Sequence, residues 1–115
     1  MKLQVQEQSV RVRVTEAELQ DLLSGSALRL NLSFGGQDLL ALEVAAGHET
    51  SLQPGAVWRL RLSDMALRDY AETLPRRDAL VVGLTGSGGE SLRLEFDVDV
   101  RDSVKVRGAR KGGTG

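Results

Sequence analysis

Apolar and polar residues alternate along most of this chain, with two interruptions where the spacing changes to that of a helix. Leu3 and Val5 alternate with polar neighbours over Lys2 to Gln6, and Glu7-Gln8-Ser9 can turn that short strand back into a second one. In Val10 to Val14 three valines share one face and Arg11 and Arg13 the other, the pattern of a strand with one side buried. Thr15 with Glu18 three positions on is a capping box, and Leu19, Leu22 and Leu23 then fall on one helical face until Ser24-Gly25-Ser26 ends the helix. Leu28, Leu30, Leu32 and Phe34 return to alternation, Gly35-Gly36 supplies a tight turn, and Leu40, Leu42 and Val44 form the answering strand. Ala45 to Gly55 reads as a connector with a short strand near Ser51 to Gln53.

The order then repeats. Trp58-Arg59-Leu60-Arg61-Leu62-Ser63-Asp64-Met65-Ala66-Leu67 copies Val10-Arg11-Val12-Arg13-Val14-Thr15-Glu16-Ala17-Glu18-Leu19, at an offset of 48 residues in the strand and helix and about 52 in the hairpin. Ser63 caps the second helix, Asp64 suits its amino end, Leu67, Tyr70, Ala71 and Leu74 make its apolar face, and Pro75 stops it. Ala79 to Thr85 and Ser91 to Val100 pair around Gly86-Ser87-Gly88-Gly89. The pattern predicts a mainly β, β-rich α+β fold over residues 1–100, with internal repeats at about 1–46 and 49–100. Pseudo-twofold strand–helix–hairpin units would supply about eight antiparallel strands and two short helices. Strands with one wet face need cover for the other. A small closed barrel is the favoured expectation, with a two-sheet sandwich as the alternative. Leu30, Leu42, Leu60, Val82, Leu94 and Phe96 are the expected core.

Length and charge narrow the class. At 115 residues the chain is one ordinary domain in size, and with four aromatic residues its core must be mostly Leu and Val. There is no cysteine, which removes disulfides and thiolate chemistry and fits a reducing compartment. No signal-like or bilayer-spanning apolar run is present, so a soluble, cytoplasmic protein without a membrane partner is expected. Residues 101–115 hold five basic groups and one acid, a +4 glycine-rich tail expected to be disordered. Residues 1–100 hold ten basic groups and fifteen acids, a −5 body that disfavours nucleic acid.

Two family resemblances follow from these segments. Met1-Lys2-Leu3, the run Ser9 to Thr15 with Glu18-Leu19, and the later Leu60 to Tyr70 resemble a family of small uncharacterised bacterial proteins, over most of the chain to about Phe96. That resemblance implies no activity. Arg77 to Val82 with Ser91 to Phe96 is similar to the swapped-hairpin units of AbrB-like DNA-binding proteins, in which strand, short helix and hairpin pair across a twofold axis. The resemblance implies that architecture and DNA binding. The chain departs from the family in carrying Glu16 and Asp64 where a Pro is usual, and in its acidic body.

The residues offer little chemistry. His48 is the only histidine, and with Glu49 beside it in sequence it has no further His or Cys to complete a metal set. Asp97 and Asp99 point to one side of a strand, where cross-strand arginines neutralise them more readily than a cation. Gly86 to Gly89 is followed by a strand and not a helix, so it reads as a hairpin turn and not a phosphate loop. No catalytic, cofactor-binding or metal residues are assigned, no cofactor is expected, and the protein is read as not an enzyme. Arg11, Arg13, Arg59 and Arg61 are the candidate basic interaction surface, which Arg29 and Arg93 could extend; the competing reading pairs these arginines with Glu43, Glu95, Asp97 and Asp99. The sequence pattern shows no large exposed apolar patch. A protein-binding or assembly module with a protein partner, as monomer or homodimer, is the expected function; a DNA-binding transcriptional regulator of AbrB-like architecture is the alternative.

Overall fold

The structure, a computed structural model, describes residues 1–75 and 78–99. Its elements run β1 (Lys2–Gln6), β2 (Ser9–Val14), α1 (Glu16–Leu23), β3 (Leu28–Phe34), β4 (Gln37–Gly47), β5 (Ser51–Gln53), β6 (Trp58–Ser63), α2 (Asp64–Glu72), β7 (Leu80–Thr85) and β8 (Ser91–Val98). The expected end of the last strand at Val100 and the tail 101–115 lie outside the described residues.

Both helices start where their caps predict. Thr15 Oγ1 accepts from the Glu18 amide at 3.1 Å and the Glu18 carboxylate accepts from the Thr15 amide at 2.9 Å, so the box satisfies amides that the first helical turn cannot. In α2 only half of that device exists: Ser63 Oγ accepts from the Ala66 amide at 3.3 Å, and the methyl side chain of Ala66 cannot reciprocate. Leu19 and Leu22 of α1 and Leu67 and Tyr70 of α2 are buried.

The eight strands form two four-stranded sheets, ordered β1-β2-β8-β7 and β3-β4-β6-β5. Each sheet combines one antiparallel pair from the first half of the chain with one from the second. The two orders map onto each other when β1, β2, β3 and β4 are matched with β5, β6, β7 and β8. The central pairs, β2 with β8 and β4 with β6, are parallel, which corrects the expectation of antiparallel strands throughout. The pairs β1–β2, β3–β4, β5–β6 and β7–β8 join successive strands and are antiparallel, but each central pair joins strands that are not successive, and the longer connection can return the chain in the same direction. The parallel pairing also carries β4 on to Gly47, so the first residues of the expected connector are strand, with Ala45, Ala46 and Gly47 opposite Arg61, Leu62 and Ser63.

The favoured barrel is corrected as well. Hydrogen bonding divides the strands into two groups of four and leaves β1, β7, β3 and β5 as edges. Neither group closes, because four strands are far short of the roughly eight that surround a filled interior. The apolar faces are covered by sharing a core: Val10, Val12, Val14, Leu94, Phe96 and Val98 from one sheet join Leu28, Leu42, Val44, Leu60 and Leu62 from the other and the four helix residues. Tyr70 meets Phe96 edge to face at 6.1 Å. Of the expected core, Leu42, Leu60, Leu94 and Phe96 are buried, while Leu30 and Val82 are half-buried because β3 and β7 are edge strands with one neighbour each.

Candidate functional site

Alternation on the central strands sends arginines to the face opposite the core, and parallel pairing sets carboxylates beside them. In the first sheet Arg11 stands opposite Glu95 and Arg13 opposite Asp97. Asp97 is 4% exposed and receives four hydrogen bonds. Arg11 donates to its Oδ2 from Nε at 3.2 Å and Nη2 at 2.7 Å; Arg13 donates to Oδ1 from Nε at 3.1 Å and to Oδ2 from Nη2 at 3.1 Å. Glu95 sits 3.8 Å from Arg11 and accepts from Arg93 Nε at 3.1 Å. Asp99, just past the end of β8, adds a further negative charge that acts on Arg13.

Burial of Asp97 works to raise its pKa, but the hydrogen bonds from Arg13 and then Arg11, with the charges behind them, outweigh it and hold the carboxyl below its ordinary value. The hydrogen bond to Asp97 likewise raises Arg13. Two guanidiniums on one buried carboxylate are a fully satisfied ionic cluster.

The second sheet has the same arginines and fewer acids. Arg59 stands opposite Glu43, but Arg61 stands opposite Ala45. Both guanidiniums converge on one Glu43 oxygen, Arg61 Nη2 at 2.8 Å and Arg59 Nη1 at 3.3 Å, and Arg29 approaches the other at 3.8 Å. The hydrogen bond from Arg61 is the main cause that lowers the Glu43 pKa. Neither Arg59 Nε nor Arg61 Nε has a carboxylate partner among the described residues. Arg59 and Arg29 remain about half exposed, at 51% and 52% of their side chains.

Comparison with protein-family models, with curated proteins and with solved structures finds no match.

The structure therefore gathers the four candidate arginines into two pairs on two different sheets and not into one stripe, with Arg93 beside the first pair and Arg29 beside the second. The anticipated pairing with Glu43, Glu95 and Asp97 is present. His48 and Glu49 are exposed just past the end of β4. Among the described residues no three His, Cys, Asp or Glu side chains cluster as a metal site. The turn at Gly86 to Gly89 closes a hairpin, with the Gly86 amide donating to the Glu90 carbonyl at 2.8 Å.

One surface was not legible in the alternation. At the tip of the β3–β4 hairpin Phe34 is 79% exposed, Leu39 61% and Leu32 55%. The period-two pattern put Leu32 and Phe34 on the buried side. The register shows why they are not buried: β6 pairs with β4 only from Leu42 onward, so the tip is held by β3 and β4 alone and projects beyond the sheet. A bulge between Leu32 and Ser33 leaves Leu39 without an opposite residue. Gly35 and Gly36, with φ of 65° and 77°, make the two-residue turn that needs two positive φ values.

Proposed function

We propose that the protein is a non-enzymatic protein-binding or assembly module that engages its partner through the β3–β4 hairpin. The observation that supports this reading is the exposed apolar tip of Leu32, Phe34 and Leu39. An exposed cluster of large apolar side chains is costly in water and marks an interaction surface more often than a neutral one. The corresponding β7–β8 hairpin carries Gly86 and Ser91 at the positions of Phe34 and Leu39, and its Leu84 and Leu92 are half-buried beside Leu52 and Pro54 at a groove of about 330 Å³. Only one of the two hairpins therefore keeps a large apolar tip. In the same reading the correspondence of the two halves reflects an internal duplication and the protein works in the cytoplasm. No helix among the described residues is long and apolar enough to cross a membrane.

The test is site-specific photo-crosslinking in the source cells, with a benzoylphenylalanine at position 34 and, separately, at position 86. A discrete protein adduct from position 34 and not from 86 is the expected result. Equal adducts from both positions, or none from 34, would overturn the reading. DNA binding of the AbrB-like kind is the second reading, and it draws on the surplus of arginine in the second sheet. A regulator of that kind would hold duplex DNA near physiological salt, weaken steeply as salt rises, and lose most affinity in Arg59→Ala/Arg61→Ala.

A further inference from the structure

The two arginine faces can be compared position by position, because β2 corresponds to β6 and β8 to β4. Along β8 and just beyond it the outward row is Arg93, Glu95, Asp97 and Asp99; along β4 it is Ala41, Glu43, Ala45 and Gly47. The acid opposite Arg13 becomes Ala45 opposite Arg61, and the next acid becomes Gly47. Three arginines thus face three acids in the first sheet, with Lys2 of β1 at its rim, whereas among the described residues Arg29, Arg59 and Arg61 pair with Glu43 alone in the second. Space accompanies the missing charge. Ala45 and Gly47 are only partly buried, and their small size leaves unfilled the positions that Asp97 and Asp99 occupy in the first sheet.

We infer that Arg59 and Arg61, with Arg29, form an open carboxylate-binding site over Ala45, and that an Asp or Glu side chain of a partner protein fills the place that Asp97 fills in the first sheet. The choice of carboxylate over phosphate rests on the chain's own template, since Asp97 shows that an arginine pair at this spacing takes one carboxylate in a four-bond embrace. The Nε donors of Arg59 and Arg61, which have no carboxylate partner among the described residues, correspond to the two Nε groups that Arg11 and Arg13 spend on Asp97. The site lies on the sheet that carries the exposed hairpin, so an acidic residue flanking an apolar segment of the partner would reach both. The assignment rests on the protein-binding reading of that hairpin, and it is tested with a probe that has no apolar residue.

The probe is hexaglutamate, titrated into the full chain while the arginine Nε–Hε resonances are followed by NMR at about pH 6, where Glu is ionised. Arg59 and Arg61 should shift with saturation and Arg11 and Arg13 should not. Ala45→Asp supplies the carboxylate in cis and should weaken the peptide by at least about tenfold, as should Arg61→Gln. Resonances that stay still, shifts at Arg11 and Arg13 equal to those at Arg59 and Arg61, or affinity unchanged in Ala45→Asp would overturn the site. A duplex DNA of equal charge that binds Arg59 and Arg61 more tightly than the peptide would overturn it in favour of phosphate. Failure with hexaglutamate while position 34 still crosslinks one protein would remove the carboxylate site and leave the hairpin reading standing.

Discussion

The two sheets share a strand order and a core, yet one is chemically closed and the other open. In the first, Asp97 is buried between Arg11 and Arg13, and the hairpin tip is a turn of glycines and serine. In the second, Ala45 stands where the acid would be, and the hairpin ends in Phe34 and Leu39. Both differences fall at corresponding positions on the outward face or the tip, never in the core. Side chains that face inward are constrained by packing against both sheets, whereas outward ones can diverge at little cost in stability.

The largest effects should show how evenly the halves share the core. Leu94 and Leu42 are corresponding residues, each at most 1% exposed. Leu94→Ala and Leu42→Ala should each lose about 2–5 kcal/mol in urea unfolding. A loss below about 1 kcal/mol for only one of them would show that the second sheet is an appendage and not an equal partner.

Next comes the closed cluster. Asp97→Asn leaves two guanidiniums without their carboxylate and should cost about 1–3 kcal/mol, while Glu43→Gln should cost clearly less because Glu43 is itself more exposed than Asp97 and two of its three arginines, Arg29 and Arg59, are about half exposed. The pH dependence has a definite sign. The folded carboxyl of Asp97 lies below its unfolded value, so its contribution is complete above that value, near pH 4, and is lost as pH falls through the folded value. Urea midpoints of the wild type and Asp97→Asn should differ by a constant amount above about pH 5 and converge below about pH 4. A gap that widens toward acid would contradict the cluster.

Much of this architecture could be read from the residues, and the rest depended on pairings between distant parts of the chain. Local signals sufficed for both helices, since the capping box of Thr15 and Glu18 and the cap at Ser63 are satisfied within three residues. The Gly35-Gly36 hairpin was legible for the same reason. The parallel pairing of β2 with β8 was not, because alternation states which face is buried and is silent about which strand lies alongside. The pairing of β2 with β8 and the equally hidden pairing of β4 with β6 decide the two-sheet arrangement, and the second of them sets the extension of β4 to Gly47 and the position of Ala45 opposite Arg61. The outward placement of the arginines followed from the alternation, but their grouping needed the strand order. Phe34 carried the alternation of a core residue and lies beyond the reach of any second strand pair.

The smallest expected effect on stability belongs to the open sheet. Phe34→Ser removes an exposed ring and should change unfolding free energy by no more than about 0.5 kcal/mol, while removing the crosslinked partner seen from a neighbouring position such as Leu32. Loss of both stability and partner together would mean that the ring packs on the fold and is no docking surface.

The contrast between closed and open sheets can be reversed directly by moving the acid from one to the other. In the double variant Ala45→Asp/Asp97→Ala the first sheet loses its carboxylate and the second gains one at the corresponding register. Hexaglutamate titrated into that protein should now shift the Nε–Hε resonances of Arg11 and Arg13 and leave those of Arg59 and Arg61 in place. Binding that remained at Arg59 and Arg61 would show that the acid at this register does not decide which sheet is open, and would contradict the account.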